Sequence, residues 1–325
     1  MPSMPESSAD PRLSHFPVSF FAVVMGLTGL AIAWHKAQMV FALPIDLGTP
    51  ILILAAGTFC VLLALYLTKL VRHRAAVAAE LGHPIHLNFF PTISISLLLL
   101  AIGTLPHWPG VAGLLWVLGS TLHLLLTLYV MSVWIHHEHF EIHHINPAWF
   151  IPMVGNVLVP IAGVPLGFAE VGWFFFSIGI LFWLILFAII VYRMLFHHPL
   201  AERLMPTFFI LIAPPAVGFI AYLQLTGGLD PFARVLYYGG LFLTLLLVTQ
   251  AGRFLRIPFY LSWWAYSFPL AAIAIATLAM YEQTGLIGFA GLAWVLLTLV
   301  TLVVVYLLAH TAGAVAARRI CVPAH

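Results

Sequence analysis

The 325-residue chain is 63% hydrophobic and 7% charged, with a mean hydropathy of +1.10 and a formal net charge of +2. A soluble domain carries roughly 25% charged residues, so this chain cannot cover a water-facing surface, and lipid is the solvent its composition fits. Spans of about 20 residues fill the length and leave no room for a large soluble domain. The two cysteines, Cys60 and Cys321, fall in a span and in the tail and point to neither a disulfide framework nor a zinc site.

Residues 1–13 are polar, contain Pro2, Pro5 and Pro11, and read as a disordered tail, with no short apolar core of the cleavable signal type ahead of the first span. Ten apolar stretches follow, near 17–34, 48–71, 88–106, 109–135, 148–168, 171–193, 206–226, 232–252, 257–281 and 286–311. They are long, rich in leucine and without period-2 alternation, which makes them helices. In hydrocarbon only helices or closed barrels satisfy the backbone. A ten-helix domain over 14–312 and a short tail over 313–325 complete the division.

Charge placement supports this count. With the amino terminus in the cytoplasm, ten of the twelve Lys and Arg residues fall in inside segments, and only Lys36 and Arg234 fall outside. That asymmetry is the positive-inside pattern. It predicts a multi-pass protein of the cell inner (plasma) membrane with both termini cytoplasmic.

The spans are not alike. Pro17, Pro91, Pro152, Pro160, Pro214, Pro215 and Pro269 lie inside odd-numbered spans, whereas even spans hold proline only at their starts, as Pro50, Pro109 and Pro231. Proline removes a backbone donor and frees the carbonyl four residues earlier, and a freed carbonyl must face protein or a wet cavity. Ser19, Asn88, Thr92, Ser94, Asn156 and Ser267 also sit in odd spans. The expected architecture is an all-α polytopic membrane protein of five helical hairpins, with an inner ring of five kinked helices around a central pore and five straight helices outside.

No acidic residue falls at mid-membrane depth, which disfavours a cation channel or a carboxylate-driven proton pump. No Lys or Arg falls there either, so the pore is neutral and holds anions weakly enough to release them. Phe268, in Trp263-Trp264-Ala265-Tyr266-Ser267-Phe268-Pro269, is a large ring with Ala265, Ala271 and Ala272 as helical neighbours. It either projects into a channel as a plug or fills a packing gap. His136, His137, His139, His143 and His144 cluster after the fourth span, and the four-residue spacing of His139 and His143 suits a metal. Interleaved Glu138 and Glu141 make a solvated loop the simpler reading, and no metal or cofactor is expected. His123 reads as the one histidine deep in a span, in a hydrogen-bonded packing role. No nucleophile–base motif, phosphate loop or nucleic-acid signature appears.

Five motifs in order resemble one family. They are Phe16-Pro17 with Phe21 and Gly26-Leu27; Asn88-Phe89-Phe90-Pro91; Asn146-Pro147-Ala148-Trp149-Phe150 leading to Val154-Gly155-Asn156; Ala213-Pro214; and the Trp263–Pro269 stretch. Over about His15 to His310 the chain is similar to the TehA-type, slow-type anion channel family, also called tellurite-resistance or C4-dicarboxylate transporters. The resemblance implies a central pore within each subunit of a homotrimer and makes Phe268 the residue that occludes it. Phe21, Phe89, Phe90, Pro17, Pro91, Asn156, Pro214 and Pro269 are the pore-lining candidates. The implied cargo is a small anion such as chloride or nitrate. The alternative is a secondary transporter of C4-dicarboxylates such as malate, or of an oxyanion such as tellurite, with His123 as the coupling group.

Overall fold

The computed structural model describes residues 12–136 and 140–321. Most of the expected amino-terminal tail, the last four residues, and His137, Glu138 and His139 of the histidine loop lie outside the described residues.

Five hairpins follow in chain order. The first is α1 (Phe21–Phe41) with α2 (Gly48–Arg72), and a short α3 (Arg74–Gly82) comes after it. The second is α4 (Thr92–Thr104) with α5 (Pro109–His136). The third sets α6 (Phe150–Val154) and α7 (Val159–Gly163) against α8 (Ala169–Phe196). The fourth is α9 (Ala213–Thr226) with α10 (Pro231–Val248), followed by one turn, α11 (Ala251–Phe254). The fifth is α12 (Ser267–Thr284) with α13 (Ile287–Ala316).

The first helical arm of each hairpin forms the ring. α1 packs on α4, α4 on α7, α7 on α9, α9 on α12, and α12 closes back on α1. In the four continuous inner spans 67–89% of the most apolar window is buried, against 28–39% in the five outer ones. The outer helices turn Leu54, Val61, Leu125, Leu181 and Val295 outward, the surface that acyl chains would cover.

Among the described residues nine helices are long and apolar enough to cross a membrane. The stretch expected as a fifth span is different: Pro147–Gly163 is a succession of short 3-10 and α pieces. Pro152 and Pro160 cannot donate, which breaks the regular ladder. Side chains serve the backbone instead. The Asn156 amide donates to the carbonyls of Pro152 (3.1 Å) and Met153 (2.8 Å), the Thr127 hydroxyl donates to Pro152 O (2.8 Å), and the Trp116 indole donates to Val159 O (2.8 Å).

The prolines of the other inner spans mark a change of helix type rather than a bend within one helix. Each of these spans starts as a 3-10 piece, over Val18–Phe20, His86–Phe89, Glu202–Ile212 and Leu261–Tyr266, and then becomes α-helical. Pro91 caps α4, and Pro214 and Pro269 stand in the first turns of α9 and α12. A first-turn N–H has no intrahelical partner in any case, so proline fits there without loss.

The start of α1 is fixed by a buried ion pair. Lys69 Nζ lies 2.7 Å from Glu80 Oε2 and also donates to Phe16 O at 2.8 Å. Glu80 further accepts from Val18 N (2.7 Å) and from the Tyr66 hydroxyl (3.0 Å). Sequence alone places both charges at the water; the structure buries both, because α3 folds Glu80 back onto α2. On this same face Arg12 donates to Ile320 O at 2.9 Å, so the amino- and carboxyl-terminal segments meet. This is called the terminal face below, and the opposite one the far face.

Candidate pore along the ring axis

Three spaces follow one another through the ring. On the terminal face a vestibule of about 240 Å³ is lined by Pro17, Ser19, His83, His86, Arg203 and Ser262, among others. It shares Ala22, Phe89 and Ala265 with a central cavity of about 70 Å³. On the far face a third space of about 290 Å³ takes Ile32, Lys36, Ile102, Ile161, Ile220 and Glu282 from the inner spans.

The central cavity is apolar. Met25 of α1, Ile95 of α4, Val154 and Leu158 of the broken span, Val217 of α9 and Phe268 of α12 line it. Its one polar-chain lining residue outside the tryptophan is Thr92, and that hydroxyl donates to Phe89 O at 2.6 Å. The Trp264 indole N–H is likewise taken, by Thr311 Oγ1 at 2.9 Å. By size the cavity holds a few water molecules, but its walls offer them no partners, and such cavities stay dry.

Phe268 is one of the lining residues of this cavity. Its ring lies against Gly29, one turn beyond Met25 on α1: a Cβ on Gly29 would stand 3.3 Å from Phe268 Cδ2 and 3.0 Å from Ala271 Cβ. Glycine is therefore what gives the ring its seat. Gly29, Leu99 and Ala272 are buried and line neither the central nor the far space.

The vestibules carry the charge. On the terminal face Arg203 stands near His83, and burial together with that guanidinium holds the His83 imidazole below its ordinary range. His83 and His86 stack at 4.1 Å. Glu80 also reaches this vestibule, but Lys69 neutralises it, which leaves Arg203 as the uncompensated charge among the lining residues. On the far face Lys36 pairs with Glu282 at 2.6 Å.

The sequence-predicted residues divide. Phe89, Phe268 and Pro269 line the central cavity, and Pro17 lines the terminal-face vestibule. Phe21 and Phe90 face outward from the axis: Phe21 sets its ring on Phe59 (5.9 Å) and Tyr66 (6.2 Å) of α2, and Phe90 sets its ring on Tyr66 (6.1 Å). Asn156 is turned toward α5 by its bond to Thr127, and Pro91 and Pro214 line none of the three spaces. Met25, Ile95 and Val217 went unread because an inner helix is apolar on every face, so aliphatic spacing does not reveal which side meets the axis.

The histidines divide as well. His123 is fully buried, with Nδ1 2.9 Å from Ser94 Oγ and its ring filling the space that a Cβ on Gly155 would need. His35, near the far-face end of α1, is buried too. In the loop after α5, Glu141 pairs with His143 at 3.1 Å, and burial followed by the neighbouring His143 lowers the His144 pKa.

A closed ring of five helical hairpins with spaces strung along its axis defines a polytopic membrane protein of the channel and transporter class. Comparison with known proteins narrows this. Residues 15–312 match the SLAC1 family, described as voltage-dependent anion channels, and the chain belongs to that family, which comprises channels and transporters rather than enzymes. It is 30% identical to the S-type anion channel SLAH3 of Arabidopsis thaliana over 288 residues, 85% of this chain and 44% of that one. It is 26% identical to the guard cell S-type anion channel SLAC1 of the same plant, covering 86% of this chain and 52% of the relative. With the tellurite resistance protein TehA homolog of Haemophilus influenzae the identity is 27%, covering 86% and 85%. The chain thus spans about half the length of these plant relatives.

Proposed function

We propose that this chain passes small anions, of the size of chloride or nitrate, along the ring axis, with Phe268 as the gate. The observation that carries the proposal is the succession of spaces: a dry, apolar cavity of about 70 Å³ between two wider and charged vestibules, with the Phe268 ring, seated on Gly29, among its lining residues. An ion cannot shed its water into such a cavity at low cost, so an apolar constriction gates by dewetting. Arg203 at the terminal-face entrance draws anions, and no carboxylate lines the cavity to repel them. The distribution of Lys and Arg supports a terminal face turned to the cytoplasm, with the protein in the inner membrane of the cell. Assembly as a homotrimer with one conduit per subunit is part of the same proposal, drawn from the family likeness.

The decisive measurement is anion flux or current in reconstituted membranes. Phe268→Ala opens the constriction and raises chloride and nitrate flux at least tenfold over wild type; unchanged flux removes Phe268 as the gate. Coupled transport of a dicarboxylate or an oxyanion would need a titratable group on the path. His123, the group that reading relied on, lines none of the three spaces, so His123→Ala should leave the pH dependence of flux unchanged.

A further inference from the structure

We propose that His35, Asp46 and His107 form a binding site for a transition-metal dication of the zinc type on the far face. The three residues come from three separate elements: α1, the α1–α2 loop and the α4–α5 loop. One donor atom from each lies within 4.8 Å of the others. His35 Nε2 is 3.5 Å from Asp46 Oδ1, and the His35 and His107 rings meet edge to face with centroids 5.2 Å apart.

Two imidazoles and one carboxylate are a borderline donor set that suits Zn²⁺ and its neighbours rather than Mg²⁺ or Ca²⁺, which prefer all-oxygen ligands. Donors on a tetrahedral zinc stand about 3.4 Å apart, given bonds of about 2.1 Å. Closing the present spacing to that value takes a movement of about 1 Å; Asp46 and His107 are exposed and sit in loops that can supply it, with Asp46 sharing the Oδ1 that now accepts from Thr49 N at 3.0 Å. His35 is the fixed member. Its ring lies over Gly48, where a Cβ would collide with it, and Thr49 Oγ1 holds its Nε2 at 3.2 Å. The hydroxyl is a weak partner that a metal displaces. Lys36, the nearest basic side chain in sequence, is turned to Glu282, so no free cation opposes the ion from that side.

Three protein ligands leave a fourth position for water or an anion. A bound dication would also tie the end of α1 to the α4–α5 loop. His35 lines the far-face space itself, so the ion would add positive charge beside it. That last consequence rests on the conduit reading; the binding does not.

The test uses tag-free, detergent-purified full chain titrated with ZnCl₂ by calorimetry and with CoCl₂ by visible absorption. One Zn²⁺ per chain, with Co²⁺ giving the intense bands of tetrahedral coordination, is the expected result. His107→Ala and Asp46→Asn, both in exposed loops, should each weaken binding at least tenfold while the metal-free melting temperature holds. Absence of saturable binding in wild type overturns the proposal. So does stoichiometric binding that both variants retain, which would move the metal to the loop of His143 and His144.

Discussion

The inner ring and the outer shell are built from nearly the same apolar alphabet, yet they obey different rules. The outer helices, such as α8 and α13, run unbroken for 28 and 30 residues and turn most of their surface outward. The inner spans change from 3-10 to α, admit proline at the junction, and repair the backbone with Ser, Thr and Asn side chains. Lipid tolerates only a complete hydrogen-bond ladder, so the shell is regular. Protein neighbours can complete a broken ladder, so the irregular helices are the ones enclosed. Irregularity here is a mark of enclosure, and it is affordable only next to the axis.

The contrast can be broken, and the largest effect is expected at the terminal face. Glu80→Ala leaves Lys69 buried without its carboxylate and Val18 N without its acceptor, and should destabilise the fold by about 3–5 kcal/mol, read as a large drop in melting temperature in detergent. Restoration by a second substitution, Lys69→Met, would show that the cost lies in the orphaned charge; no restoration would place it in the lost bond to α1. A smaller effect is expected at the seam of the ring. Gly26 lies so close to Ser267 and Trp264 that an added Cβ collides with both, and Gly26→Ala should cost about 1–3 kcal/mol by overpacking. Next comes Asn156→Leu, which removes the donor that serves Pro152 O and Met153 O and should cost about 1 kcal/mol. The smallest change should follow Leu54→Ala on the outer shell, within about 0.5 kcal/mol. A Leu54 variant as damaging as Asn156→Leu would abolish the distinction between ring and shell.

The ring could be read from the chain because prolines beyond the first positions of a span are confined to alternate spans. That signal survives without any amphipathic pattern. What it could not show was orientation about each helix axis. Phe21 and Phe268 look alike in sequence, each a ring near a proline; one packs on Tyr66 and the other on Gly29. Only the neighbours decide this, and a helix apolar on all sides names no neighbours. The Lys69–Glu80 pair was hidden for another reason: the helix stops at His73, and the reversal into α3 brings together residues that a continuous helix would hold apart. His35, Asp46 and His107 come together only because the two loops of separate hairpins fold onto the end of α1. The broken fifth span was half legible, since Pro152 and Pro160 announce an interruption while the bonds of Asn156 and Thr127 that repair it cross between elements.

The ring closes where α12 meets α1, the first inner helix made against the last. During synthesis, four hairpins can insert and stack while the axis stays open along one side as a cleft. The ring is walled on all sides only once the fifth hairpin has arrived, and a product cut short before Ser267 would leave Gly26 and Gly29 of α1 without the neighbours that cover them. Closure of the ring therefore waits on its last hairpin.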